Sequence, residues 1–259
     1  MRLHLFEFED YDWFPDIIRR GETDYLHFMI SRGKIYEPAA GIVKELVENT
    51  GTSEIFDMCS GGGGGMDTFR NELEKQTGKD IRITLSDKYP NIAAFDEIKK
   101  STKGKINYIS SSVDVLDGIN NSESIRTIFS AFHHFSPNDA KMIIKNAVDA
   151  NVPLAIFEGA EKNLKNFLGI LIFTPVIFFF ITPFMKPFRL SRLFFTYIIP
   201  LIPLTTVWDG IVSILRMYTA DEMLRMAKEC SGEAYNWKAG TIKNRIGTGI
   251  TYIAGYKIK

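Results

Sequence analysis

Two periodicities divide this chain. Short apolar runs recur at residues 54–59 (EIFDMC), 81–86 (IRITLS), 106–110, 124–132 (SIRTIFSAF) and 152–158 (VPLAIFE). Their length and β-branched content predict buried strands. Between them, residues 67–76, 92–100 and 137–150 carry apolar positions at helical spacing. An order of strand, helix, strand with short connections predicts a parallel sheet covered on both faces. Ahead of the first strand, Ile42, Val43, Leu46 and Val47 form a helical stripe that starts near Pro38 and stops at Gly51. The stretch up to residue 36 mixes aromatics with charges, is interrupted by Pro15, and predicts short helices forming a cap. Beyond residue 208 a helix resumes over 211–217, and Thr219-Ala-Asp-Glu222 reads as a capping box opening another helix that runs to about Cys230. Residues 235–259 alternate around Asn244–Gly247, the pattern of an antiparallel hairpin. The domain plan is a cap over 1–36 and a main domain over 37–259, interrupted by an apolar insertion over 162–208.

Within the insertion, nineteen residues (167–185) and then fifteen (193–207) carry no charge, and a basic tract of Lys186, Arg189 and Arg192 separates them. The first stretch approaches the roughly 20 residues that span a bilayer. Pro175 and Pro183 are expected to break that helix. The strands that follow must rejoin the sheet, so crossings would be even in number. Two crossings would place the basic tract outside, against the positive-inside tendency. The expectation is therefore monotopic: broken amphiphilic helices in the cytoplasmic leaflet, with the basic tract on anionic headgroups. The alternative is a soluble cap that buries these residues against the N-terminal aromatics or a second subunit.

Composition narrows the classes. Thirty-one basic and thirty-one acidic residues cancel, which gives no electrostatic reason for a nucleic-acid partner. Cys59 and Cys230 stand far apart, outside any metal-ligand spacing, as suits a reducing cytoplasm. The acidic residues of the opening sixteen positions predict that no secretion signal is present. The expected location is the cytoplasm, at the inner face of the membrane.

The chemistry-bearing segment is Asp57-Met-Cys-Ser-Gly61-Gly62-Gly63-Gly64-Gly65, between a predicted strand and a predicted helix. Glycines let a ligand approach the backbone, and the helix start offers free amides. This segment resembles the first motif of the class I S-adenosylmethionine-dependent methyltransferases, with Asp57 in the acidic place and Gly61 and Gly63 in the glycine places; Cys59 stands where that family often has glycine. The second strand ends in Asp87-Lys88, matching the acid that takes the ribose hydroxyls. Ser112-Val113-Asp114, with Asp117 as a second choice of acid, resembles the segment beside the adenine. Ser130-Ala-Phe-His133-His134-Phe135 resembles the segment lining the sulfonium and acceptor side. The resemblance, strongest to a bacterial branch with a similar insertion, covers about 43–158 and resumes from 217. It implies S-adenosylmethionine held by Asp57, Cys59, Ser60, Gly61, Gly63, Asp87, Lys88, Val113, Asp114 and Ser130. It also implies a seven-stranded Rossmann-like α/β sheet, order 3-2-1-4-5-7-6, mostly parallel with a C-terminal antiparallel strand. NAD fits less well, because a dinucleotide fingerprint can be placed only by virtue of the run of five glycines.

In methyl transfer the sulfonium supplies the electrophile, so the protein mainly aligns a nucleophile and excludes water. A base is needed only for a protonated nucleophile; His133 and His134 are the candidates, or one of them simply packs. Glu158 ends the fifth strand and is either a substrate-orienting acid or a solvated strand end. Asp209, Ser213 and Arg216 share one helical face and either touch the substrate or close an Asp209–Arg216 pair. Residues 130–133 lack the Asn/Asp-Pro-Pro-aromatic pattern of amine methylation, which tilts the expected acceptor toward a hydrophobic small molecule or lipid. The alternatives are a membrane-binding scaffold without catalysis and a soluble natural-product methyltransferase. No acid or histidine cluster with ligand spacing appears, so no metal is expected. Oligomeric state is open.

Overall fold

Parallel strands require crossover helices, and the chain supplies one after nearly every strand. In the computed structural model, which describes residues 2–3, 5–119, 123–245 and 247–258, these units assemble as follows. β1 (Glu54–Met58), α3 (Met66–Thr77), β2 (Arg82–Leu85), α4 (Ile92–Ser101) and β3 (Ile106–Tyr108) form one half. β4 (Ile125–Phe129), α5 (Pro137–Asp149) and β5 (Leu154–Glu158) form the other, and α9 (Ala220–Ser231), β6 (Tyr235–Lys243) and β7 (Gly249–Lys257) complete it. The sheet has seven strands in the order β3-β2-β1-β4-β5-β7-β6. β7 pairs antiparallel with both β5 and β6. The strand order and closing hairpin match expectation; Ile246, in the expected turn, lies outside the described residues.

Each sheet face has its own core. α2 (Ala39–Thr50), α3 and α4 cover one through residues such as Val43, Phe69, Leu73 and Phe95. α5 and α9 cover the other through Ile143, Ile144 and Met223. Gly51 ends α2 with φ 83°, the left-handed cap that glycine adopts without a Cβ penalty. Thr219 and Glu222 close the capping box at the start of α9.

The N-terminal cap differs from the short helices expected. After a single 3-10 turn at Phe8–Asp10, one 18-residue helix, α1 (Asp16–Gly33), runs without a break. Pro15 sits just ahead of its first turn, where a missing amide costs nothing.

The insertion forms α6 (Leu164–Ile181), α7 (Leu190–Tyr197) and α8 (Leu201–Arg216). Pro175 lies inside α6 without breaking it; the break comes at the 3-10 turn Thr182–Phe184, which contains Pro183. The helix placed at 211–217 begins ten residues earlier, as α8. α1, α6 and α8 share a third core of Ile18, Tyr25, Phe178 and Ile202, with Tyr25 and Phe178 stacked at 4.3 Å. The inner face of the insertion is therefore buried against the N-terminal aromatics. Its outer face is bare: Phe180, Phe184 and Leu190 are 73–75% exposed. Leu164–Phe184 is long and apolar enough to cross a membrane, and in its 18-residue apolar window 17% is buried.

The basic tract does not face outward as expected. Arg192 is buried, paired with Asp24 of α1, and donates to the carbonyls of Met185 (2.6 Å) and Pro187 (2.9 Å). Arg189 joins the same carboxylate at 3.2 Å, and Lys186 alone of the three is exposed. The buried Asp24 draws two guanidinium groups in, because an unpaired charge there would cost several kcal/mol (roughly 3–5).

Candidate active site

The carboxyl ends of β1, β2 and β4 bring most of the expected residues to one edge. Asp57 is buried behind the rim. One oxygen accepts from Thr127 Oγ1 at 2.7 Å, across the β1–β4 register, and the other from Ser60 Oγ at 2.6 Å. Burial pushes its carboxyl up to about 7 against the pull of those two hydroxyls. Asp57 thus faces a ligand only through Ser60. Cys59 has φ 57°. That left-handed backbone explains why glycine suits this place, and a cysteine holds it at a cost of about 1 kcal/mol.

The glycine run serves two purposes. A Cβ on Gly62 or Gly64 would collide with Thr23 or His27 of α1, and one on Gly63 would meet Ile98 at 2.6 Å. These glycines allow close helix packing. Gly61 differs: its φ is 54° and nothing lies within 4 Å of where a Cβ would stand. Bare backbone faces open space there.

Asp87 stands directly beside that opening. Its Oδ2 accepts from the Gly61 amide at 2.7 Å and its Oδ1 from the Tyr89 amide at 2.7 Å. A carboxylate has about four acceptor positions, so two remain. Val113 donates its amide to the Asp87 carbonyl at 2.9 Å, tying the loop after β3 to this rim. Asp114 caps the 3-10 turn Val115–Asp117 through the Leu116 amide and pairs with Lys88 at 3.0 Å. Burial raises its carboxyl, but that amide and Lys88 outweigh it and hold it below its ordinary value. Asp117 is exposed on that turn.

On the β4 side, Ser130 is a fastener. It has φ 49°, and its hydroxyl accepts from the Gly159 amide at 2.9 Å and from the Tyr36 hydroxyl. Tyr36 was not singled out by sequence, since an aromatic before a helix carries no chemical signature.

The histidines and acids beyond it form a network that differs from expectation. Glu158 is not free in the cleft: Oε1 accepts from the His133 amide and Oε2 from His133 Nδ1, both at 2.8 Å. His133 is buried, and its Nε2 has no hydrogen-bond partner. His134 Nδ1 meets Asp10 at 2.7 Å, and its Nε2 lies 3.6 Å from Glu7 and from Glu9. Burial lowers its basicity, yet Glu7, the Asp10 hydrogen bond and Glu9 outweigh that and raise it to about 10. A ring held protonated in this way is no general base. The Asp209–Arg216 pair is not formed either. Asp209 accepts from the amides of Phe8 (2.8 Å) and Glu9 (3.3 Å), whereas Arg216 meets Asp10 at 2.6 Å and Glu7 at 3.2 Å. Both face the N-terminal segment and not each other. That segment, with Glu7, Glu9 and Asp10, is the part of the site that sequence reasoning missed; its signal was the acidic run in FEFED. The expectation that no histidine–acid cluster exists is corrected: Glu7, His133 and His134 present ligand atoms within 4.8 Å of one another.

No family model and no curated protein matches the sequence. Among solved structures the chain is similar to an O-methyltransferase family protein from Burkholderia thailandensis (TM-score 0.52, 12% identity), covering 91% of this chain and 59% of that one. It is similar to the methyltransferase domain of bacterial CtHen1-C (0.50, 11%), covering 87% of this chain and 100% of that one. It is also similar to the S-adenosylmethionine-dependent methyltransferase SibL (0.50, 10%), covering 86% and 56%. The chain thus spans less than two thirds of the Burkholderia protein and of SibL. Identities this low speak for architecture, and the architecture is that of the class I S-adenosylmethionine-dependent methyltransferases.

Proposed function

We propose that the chain is an S-adenosylmethionine-dependent methyltransferase acting on a hydrophobic small-molecule or lipid acceptor at a membrane surface. The observation that carries the cofactor is the bare Gly61 backbone flanked by an acceptor-rich Asp87, at the carboxyl edge of a parallel sheet. A side chain at residue 61 would fill the space, and the spare acceptor positions of Asp87 suit a diol. Ser60, Gly61 and Asp87 would hold the methionine and ribose parts, with Val113 and Asp114 beside the base. The cofactor supplies a methyl already activated by its sulfonium. The protein's remaining tasks are to orient the acceptor and exclude water.

The bare outer face of α6 and α7 favours a lipid surface over a purely soluble acceptor. It contacts the membrane through apolar side chains, with Lys165 and Lys186 as exposed cations nearby. The test is incubation of the wild-type protein with methyl-labelled S-adenosylmethionine and fractionated lipid and metabolite extracts, read by mass spectrometry. Label in a lipid or hydrophobic product supports the reading. Cofactor binding without label transfer to any fraction would instead leave a binding scaffold. Calorimetry checks the cradle independently: Asp87→Ala should weaken cofactor binding at least ~10-fold, as loss of charge-assisted hydrogen bonds implies. Unchanged affinity in a folded variant would remove the ribose assignment.

A further inference from the structure

We propose that Glu7, His133 and His134 form a binding site for a divalent transition-metal ion, zinc by chemistry, which clamps the N-terminal segment onto the loop after β4. The geometry is that of a site lacking only its centre. His133 Nε2 lies 3.8 Å from Glu7 Oε1, and His134 Nε2 lies 3.6 Å from Glu7 Oε2. Tetrahedral ligands at about 2.1 Å from a zinc ion stand about 3.4 Å apart, so both Glu7–histidine distances lie within a few tenths of an ångström of that spacing, and the whole set lies within 4.8 Å. Octahedral ligands stand nearer, at about 3.0 Å, which fits magnesium less well.

Two buried residues aim unpartnered atoms at this point. Neither oxygen of the fully buried Glu7 has a hydrogen bond, nor does Nε2 of the buried His133. Arg216 Nη1 stands 3.2 Å from Glu7 Oε1 without the alignment of a hydrogen bond. Orphaned acceptors and lone pairs this deep are costly unless something satisfies them. Both rings are also held as metal-bound imidazoles usually are. His133 Nδ1 is bonded to Glu158 and His134 Nδ1 to Asp10, which directs both Nε2 atoms inward. Charge agrees: Glu7, Glu9, Asp10 and Glu158 surround the rings against Arg216, Arg2 and the proton on His134; a dication displaces that proton on binding, and two negative charges then remain for it to balance. Glu9 Oε1, 3.6 Å from His134 Nε2, is placed for a fourth position on the side where His134 and Glu9 are partly exposed.

The test is direct. Full-length protein, stripped with a chelator, is titrated with zinc alone by calorimetry and with cobalt(II) alone by visible absorption. We expect one equivalent of zinc bound with micromolar affinity or better, and the intense visible bands of tetrahedral cobalt. His134→Ala, at a partly exposed ring, should weaken zinc at least ~100-fold, and Glu158→Gln by about 10–100-fold through ring orientation. A control at a part-buried histidine outside the cluster, His27→Ala, should leave zinc affinity unchanged. Absence of wild-type binding at submillimolar zinc overturns the site. So does binding that survives His134→Ala intact, which would mark zinc held elsewhere. Both arms are independent of methyl transfer.

Discussion

Asp57, Asp87 and Asp114 each end up at the place in the chain where a strand tip puts them, yet in different states. Asp57 is sealed and raised, whereas Asp114 is open and lowered by its amide and lysine partners. Position was legible in sequence because it follows from local strand and turn signals. State was not, because Thr127 and Lys88 come from other segments of the chain. The same limit hid Glu7, Glu9 and Asp10, which meet His133 and His134 from more than 120 residues upstream. Glu22, on α1, makes a pH prediction possible. It is 2% exposed, and burial, with the charge of Glu9 adding, pushes its carboxyl up to about 9 from 4.5. The folded state therefore holds a proton that the unfolded chain releases. Stability is full below about pH 4.5 and falls as pH rises toward about 9. Glu22→Gln should remove this slope, gaining about 2–4 kcal/mol over wild type in urea melts near pH 8 and little near pH 4.5. An equal gain at both values would assign the effect to packing instead.

Helices and strands were read well where one rule governed them and poorly where two competed. The capping box of α9 is a single local device; Thr219→Ala should cost about 1 kcal/mol, measurable by urea unfolding. Pro175 is the opposite case. Its missing amide argues for a break, but the packing of α6 against α8 and α1 keeps the helix continuous. The basic tract was misread for a similar reason, since Asp24 lies on a distant helix and could not be paired with it by spacing. If the outer face of the insertion meets lipid, the double variant Phe180→Asp, Phe184→Asp should lose it. Vesicle sedimentation should fall at least ~10-fold, given about 1.5–3 kcal/mol for each phenylalanine withdrawn from water. Its melting temperature should stay near wild type, because both rings are 73% exposed in the folded chain. Unchanged sedimentation would return that face to a protein partner.

The whole molecule is a sheet with a core on each face and a third core joining the first helix to the insertion. The alternation of strands and helices predicted a parallel sheet covered on both faces, and the strand order was legible only through the family resemblance. What could not be read was that residues 2–3 and 5–10 lie along the β4 and α8 side and complete it. Arg2 reaches the carbonyls of His133 and Phe135, and the Phe8 amide reaches Asp209, 201 positions away. This has a consequence for the order of events on the ribosome. Residues 5–10 must wait for α8, 201 positions further on between Phe8 and Asp209, before they can settle, so docking of that strand-less segment is a late step with a large closure entropy. Amide exchange should show residues 5–10 opening well before the sheet, on a timescale of their own. The β4 side of the site is thus a seam between segments 201 residues apart in the chain. A chain released short of α8 would carry a finished glycine turn and an unfinished wall.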